Sequence, residues 1–238
     1  MPLSLDEVRA RTVAPNVLIS WCRARERERE LPPPVQATEN LVDKNEVNHL
    51  ILDALEHERG GVRVYETAIE CVQNDDLRKE WTKYLSETES HVAVLTDLCR
   101  ELGLDPERTT PAREIVKALG ASLVKAMQAA KRGGNADVAQ LVACDCVVLA
   151  EVKDHANWDL LCHVSEHMNG AAGKLLKEAC ETVHEQEGEH LFHSKGWCRE
   201  LAIRALGMKA VLPPPEERKH VKTAIGAARA EQQRESAD

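Results

Sequence analysis

A glutamate and a histidine three residues apart, Glu187 and His190, interrupt an otherwise apolar helical seam of Leu176, Cys180, Val183, Ser194, Trp197 and Leu201. Side chains at i and i+3 share one face of a helix, close enough to bind one ion. A single such pair ordinarily means a solvated acidic face, and the neighbours Glu185, Glu189 and His193 are expected to be exposed. The same break recurs three more times. Glu58 stands on the seam Ile51, Ala54, Leu55, Val62, Tyr65, Ile69, Val72. His91 stands on the seam Leu77, Trp81, Tyr84, Thr88, Leu95, Leu98, Leu102, with Glu87 at i−4 on its edge. Glu151 stands among Leu141, Cys144, Val148, His155, Trp158 and Cys162, with Asp154 following it. Carboxylates brought together in a helical core either protonate or need cations. Glu58, Glu87, Glu151 and Glu187 carry the charge that two divalent ions neutralise, and His91 and His190 add neutral nitrogen ligands. Two divalent transition-metal ions are therefore the expected cofactor.

The elements that must position these residues are helices. Periodicity predicts a first helix within 41–74. A second runs over 75–102, capped by Asn74 or Asp75 and closed by Gly103. Thr109, Thr110 and Pro111 open a third that runs to about Lys131; its seam (Ile115, Leu119, Leu123, Met127) is apolar and reads as packing without chemistry. A fourth covers 135–168, and Asn169-Gly170 turns the chain into a fifth that runs to about Gly207. Gly60 and Gly61 each cost about 1 kcal/mol relative to Ala in a helix, yet the seam resumes in phase behind them. That predicts close helix contact rather than a kink. His155 reads as a partner orienting a carboxylate, or else as core packing, and His184 as solvent-facing. Residues 1–40 read as a charged arm, with alternating Arg and Glu over 21–30 and Pro32, Pro33 and Pro34 behind it. Residues 41–207 form the helical bundle. Residues 208–238, set off by Pro213, Pro214 and Pro215, form a charged tail with a short peripheral helix.

Composition supports an all-α chain. Of 238 residues one is Phe and two are Tyr, and β-branched runs bounded by turns are missing. A net charge of −9 argues against a nucleic-acid binder, which needs a basic face, and suits a protein that attracts cations. Eight cysteines include no C-x-x-C, which argues against a zinc ribbon; most replace small apolar residues and read as reduced core thiols of a cytoplasmic protein. No apolar run approaches the roughly 18 residues of a membrane span.

The pattern resembles the ferritin-like superfamily, nearest to rubrerythrin and bacterioferritin, over roughly 41–207. Those bundles take one Glu from each of two helices and a Glu-x-x-His from each of the others. A Tyr seven residues after the first Glu matches Tyr65 after Glu58. Leu149-Ala150-Glu151 resembles the third-helix motif, with its acidic residue one turn on at Asp154, and Glu187 with His190 is the intact fourth-helix motif. The second helix departs: Thr88 stands where a Glu is expected, so Glu87 would have to serve. The rubredoxin-type cysteines of rubrerythrin are missing. The resemblance implies an antiparallel four-helix bundle with additional helices. It implies metal ligands Glu58, Glu87, His91, Glu151, Glu187 and His190, with Tyr65, Asp154 and His155 behind them. It also implies iron, with manganese or zinc as alternatives, redox chemistry with dioxygen or peroxide, and a homo-oligomer of two or more chains. Thr88 favours the alternative, a non-enzymatic metal-storage or structural bundle with a partly degenerate site.

Overall fold

The computed structural model describes residues 42–235; the expected charged arm over 1–40 lies outside the described residues. Those residues are helical and include no strand. Helix α1 is Lys44–Cys71, α2 Asp75–Glu101, α3 Pro111–Arg132, α4 Ala136–His167, α5 Gly170–Ala205, α6 Pro215–Arg218 and α7 Ala224–Glu235. Local chemistry sets the starts. Asp43 accepts from the amides of Asn45 and Glu46, Asn74 from Asp76 and Leu77, Thr110 from Arg113 ahead of Pro111, and Asn135 from Val138. Each satisfies amides that the first turn leaves without an intrahelical acceptor. Among the described residues, no helix is long and apolar enough to cross a membrane.

The four long helices close a cycle: α1 packs on α2 and α4, and α5 packs on α2 and α4. The core divides into two apolar clusters along it. One joins the N-terminal half of α1 (Ile51, Leu55) to the C-terminal halves of α2 (Leu95) and α4 (Trp158, Leu161) and the N-terminal half of α5 (Leu176, Val183). The other joins the opposite halves, with Tyr65, Leu77, Trp81, Val147 and Trp197. Each helix is therefore antiparallel to both its neighbours, and α2 is parallel to α4. Parallel helices need a long return, and the 22 residues of α3 provide it, about 33 Å at 1.5 Å per residue. α3 lies against α1 and α4.

The packing of α3 differs from the expected apolar seam. Met127 is buried, but Ile115 and Leu119 are each 62 % exposed, because the helix engages the core mainly through its C-terminal half. α1 runs unbroken through Gly60 and Gly61. A Cβ at Gly61 would lie 3.2 Å from Thr88 Cγ2, so the missing side chain lets α2 approach closely.

After Gly207 the chain forms two short helices, not one, and packs back on α5. A Cβ at Gly188 would lie 2.2 Å from the Lys222 carbonyl oxygen, and one at Gly196 2.6 Å from a Glu216 carboxylate oxygen. Two mid-helix glycines, each normally destabilising by about 1 kcal/mol, thus let the C-terminal segment lie directly on α5. Val221 and Ala230 cover Leu191 and Phe192 there.

Candidate metal centre

Between the two apolar clusters, at mid-length of the four long helices, lies a buried polar layer: Glu58 from α1, His91 from α2, Glu151 and Asp154 from α4, Glu187 and His190 from α5. His91 Nδ1 lies 3.0 Å from Glu187 Oε1 and 3.5 Å from Glu58 Oε1. His190 Nδ1 lies 3.6 Å from the same Glu187 oxygen and 3.7 Å from Glu151 Oε2. Two trios result, Glu58–His91–Glu187 and Glu151–Glu187–His190, each with ligand atoms within 4.8 Å of one another. Glu187 belongs to both.

The donor atoms fit a cation. Glu58 Oε2, Glu151 Oε2, both Glu187 oxygens and the Nδ1 atoms of His91 and His190 are buried without a hydrogen-bond partner. Buried polar atoms are ordinarily paired, and here six atoms of ligand type, from all four helices, are left facing one another.

The opposite edges of the two imidazoles, Glu58 and Glu151 are engaged. His190 Nε2 lies 2.9 Å from Glu87 Oε2, and His91 Nε2 lies 2.9 Å from Gln186 Oε1. Gln186 Nε2 in turn donates to Glu87 Oε1 at 3.3 Å, so one chain of hydrogen bonds holds both imidazoles with Nδ1 turned inward. Such partners fix the tautomer and raise the basicity of a ligating histidine. Tyr65 donates to Glu151 at 2.8 Å and Trp158 Nε1 to Glu58 at 2.7 Å.

Glu87, expected as a ligand, therefore stands behind His190, on its outer nitrogen. At i−4 from His91 it sits on the edge of α2, where Lys83 and Gln186 also reach it. Asp154, expected behind the ligands, is buried beside Glu58 and belongs to neither trio; its Oδ1 has no partner. Thr88 occupies the position of the missing carboxylate and packs against Gly61. Gln186 escaped sequence reasoning; its spacing of four from His190 was the only signal.

His193, expected to face solvent, is 1 % exposed. Its Nδ1 lies 2.8 Å from the Tyr84 hydroxyl and 3.1 Å from Glu80, because α2 covers that flank of α5. Tyr84 bonds Glu80 and His193 rather than a centre carboxylate, while its ring lies 4.2 Å from that of His190. Glu189, also expected to be exposed, is only partly so and pairs with Lys83 and Lys222. His155 is half-buried and pairs with Asp159 at 3.2 Å, and exposed His184 meets the same carboxylate at 3.2 Å; both lie outside the two trios.

Electrostatics follow from burial. Burial, with the nearby charge of Glu187, pushes the Glu58 carboxyl up against the opposing pull of His91. Burial also raises Glu151 to about 8, despite the lowering charge of His190. Asp154 is driven well above the carboxylate range by burial and then by the charges of Glu58, Glu187 and Glu151. Glu187 goes the other way: burial opposes its charge, but His91 and His190 outweigh it and hold the carboxylate ionised. Burial disfavours the His91 cation, but Glu187 and Glu58 lift it to about 11. The layer is a carboxylate cluster whose facing charges come from two imidazoles.

No family model, no curated protein and no solved structure matches this chain.

Proposed function

We propose that this chain is a ferritin-like carboxylate/histidine metalloprotein, holding two divalent transition-metal ions at the mid-helix layer for redox chemistry with dioxygen or peroxide. Iron is the first choice, with manganese as the redox alternative; zinc, which is redox-inert, would suit only a storage or structural role. The observation that carries this reading is the set of six buried, unpartnered ligand atoms contributed by four helices. Ferritin-like bundles likewise use one long crossover, the place that α3 takes here.

Glu58 and His91 would hold one ion, Glu151 and His190 the other, with Glu187 shared and Asp154 beside them. Paired ions of a redox metal supply two electrons to a single oxidant. The remaining work belongs to the chain's own residues. Glu87 and Gln186 keep the two imidazoles turned inward, while Tyr65 and Trp158 hold one oxygen each of Glu151 and Glu58. The apolar clusters above and below exclude bulk water. Asp154, whose carboxyl is pushed up by burial and by the neighbouring carboxylates, stands beside Glu58.

Elemental analysis of protein purified without added metal tests the site: up to two transition-metal ions per chain are expected, and Glu187→Ala with His190→Ala should remove most of them. Unchanged metal content in that double variant would refute the assignment. Thr88 favours the second reading, a metal-storage or structural bundle, because it leaves one carboxylate fewer than the usual set. Stopped-flow oxidation of the ferrous-loaded wild type and Glu151→Ala separates the two readings. Rates equal to protein-free solution for both proteins would leave storage alone.

A further inference from the structure

Away from the buried layer, the last two turns of α4 carry His163, Glu166 and His167, all exposed, with ligand atoms within 4.8 Å of one another. The spacing i, i+3, i+4 puts all three on one helix face, and the two imidazole rings lie 4.7 Å apart. His167 Nδ1 lies 2.9 Å from the His163 carbonyl oxygen. A carbonyl can only accept, so Nδ1 carries the proton and Nε2 keeps its lone pair free. The hydrogen bond to the i−4 carbonyl thus orients His167 before any ion arrives, as partners of ligating histidines do. Four residues back along the same stripe lies Asp159, and four further His155, about 6 Å per step. Asp159 and His155 are paired at 3.2 Å, so the trio is the C-terminal end of a row of imidazole and carboxylate groups.

We infer that His163, Glu166 and His167 form a second, solvent-exposed metal site that captures a borderline divalent ion such as Zn²⁺, Ni²⁺ or Cu²⁺. Two imidazoles and one carboxylate suit those ions better than Mg²⁺ or Ca²⁺, which favour all-oxygen sites. Three protein ligands leave coordination positions to water, so the ion exchanges readily. The site is independent of the buried layer and of the function proposed for it.

Retention of the untagged full chain on a Ni²⁺-charged chelating resin tests this, because the resin reaches exposed histidines and not buried ones. The wild type should be retained and eluted by imidazole, whereas His163→Ala with His167→Ala should run through. His184→Ala, a surface control on α5, should behave as wild type. Calorimetric titration with Zn²⁺ should show the double variant losing one class of sites, weakened about tenfold or more, with the other sites unchanged. Wild type that is not retained, a double variant that binds as well as wild type, or loss of retention in His184→Ala alone would each overturn the assignment.

Discussion

Buried carboxylates occur in two parts of this molecule and are treated in opposite ways. Where the C-terminal segment lies on α5, Glu200 and Glu216 are 0 % and 2 % exposed. Arg199 grips both Glu216 oxygens at 2.8 and 3.0 Å, while Glu200 accepts from Arg199, Arg234 and the Val211 amide. Glu56 is matched by Arg113 at 2.9 Å in the same manner. At the mid-helix layer Glu58, Glu151 and Glu187 are equally buried, yet keep oxygens without partners and face two imidazoles. Burial penalises charge in both places. In one the chain supplies fixed arginine cations; in the other it supplies donor atoms that could hold a metal ion, faced in its absence by two imidazoles whose cations the carboxylates favour.

The sharpest way to break this contrast is to remove the fixed cation. Arg199→Ala strands buried Glu216, while Glu200 keeps Arg234 and the Val211 amide, and should destabilise the fold by about 3–5 kcal/mol, read by urea unfolding, with metal content unchanged. Loss of metal in that variant would show that the two regions are not separate. Next in size is the mobile cation. At a hundredfold excess over Kd, a metal bound only to the folded chain adds about 2.7 kcal/mol, or about 5–10 °C in Tm for a chain of this size. Melts of loaded and chelator-treated protein should differ by that amount, and identical curves would place the metal elsewhere.

A smaller effect tests the outer ring of the layer. Glu87→Ala removes the partner of His190 Nε2 and should weaken metal binding by about 10–100-fold without altering the number of ions held at saturation. Loss of an ion at saturation would make Glu87 a ligand after all.

The smallest effect is in pH. In chelated protein, folded Glu151 holds its proton up to about 8 against an ordinary 4.5, so its contribution is greatest below 4.5 and is lost as pH rises toward 8. Glu58 shifts in the same direction. His91, ordinarily near 6.5, stays protonated to about 11, so its contribution is lost only as pH climbs toward that value. Depressed Glu187 gains its stabilisation above 4.5 and loses it below, outside this window. Metal competes with these protons and binds more tightly as they leave. The Tm gap between loaded and chelated protein should therefore widen between about pH 5 and pH 8; a constant gap would mean that none of these protons competes with metal.

Helical periodicity, caps and seam breaks were determined by the sequence alone, because side-chain spacing and capping chemistry are local. Asn74, Thr110 and Asn135 cap as their types demand, and Glu58, His91, Glu151, Glu187 and His190 share one layer because each interrupts an apolar seam at mid-helix. Only the tertiary structure decided what stands at the edges of those seams. Glu87 and Asp154 each sit one turn from a residue of the layer, but the rotation of α2 sends the first to the outer nitrogen of His190, while Asp154 stays buried beside Glu58 and outside both trios. His193 reads as exposed from the sequence because one helix seen by itself has an outer face; Glu80 and Tyr84 of α2 cover it. Gln186 had no meaning until α2 brought His91 and Glu87 against it. The exposed first half of α3 shows the same limit: an apolar stripe states what a face prefers, and whether another helix meets it depends on residues far away in the chain.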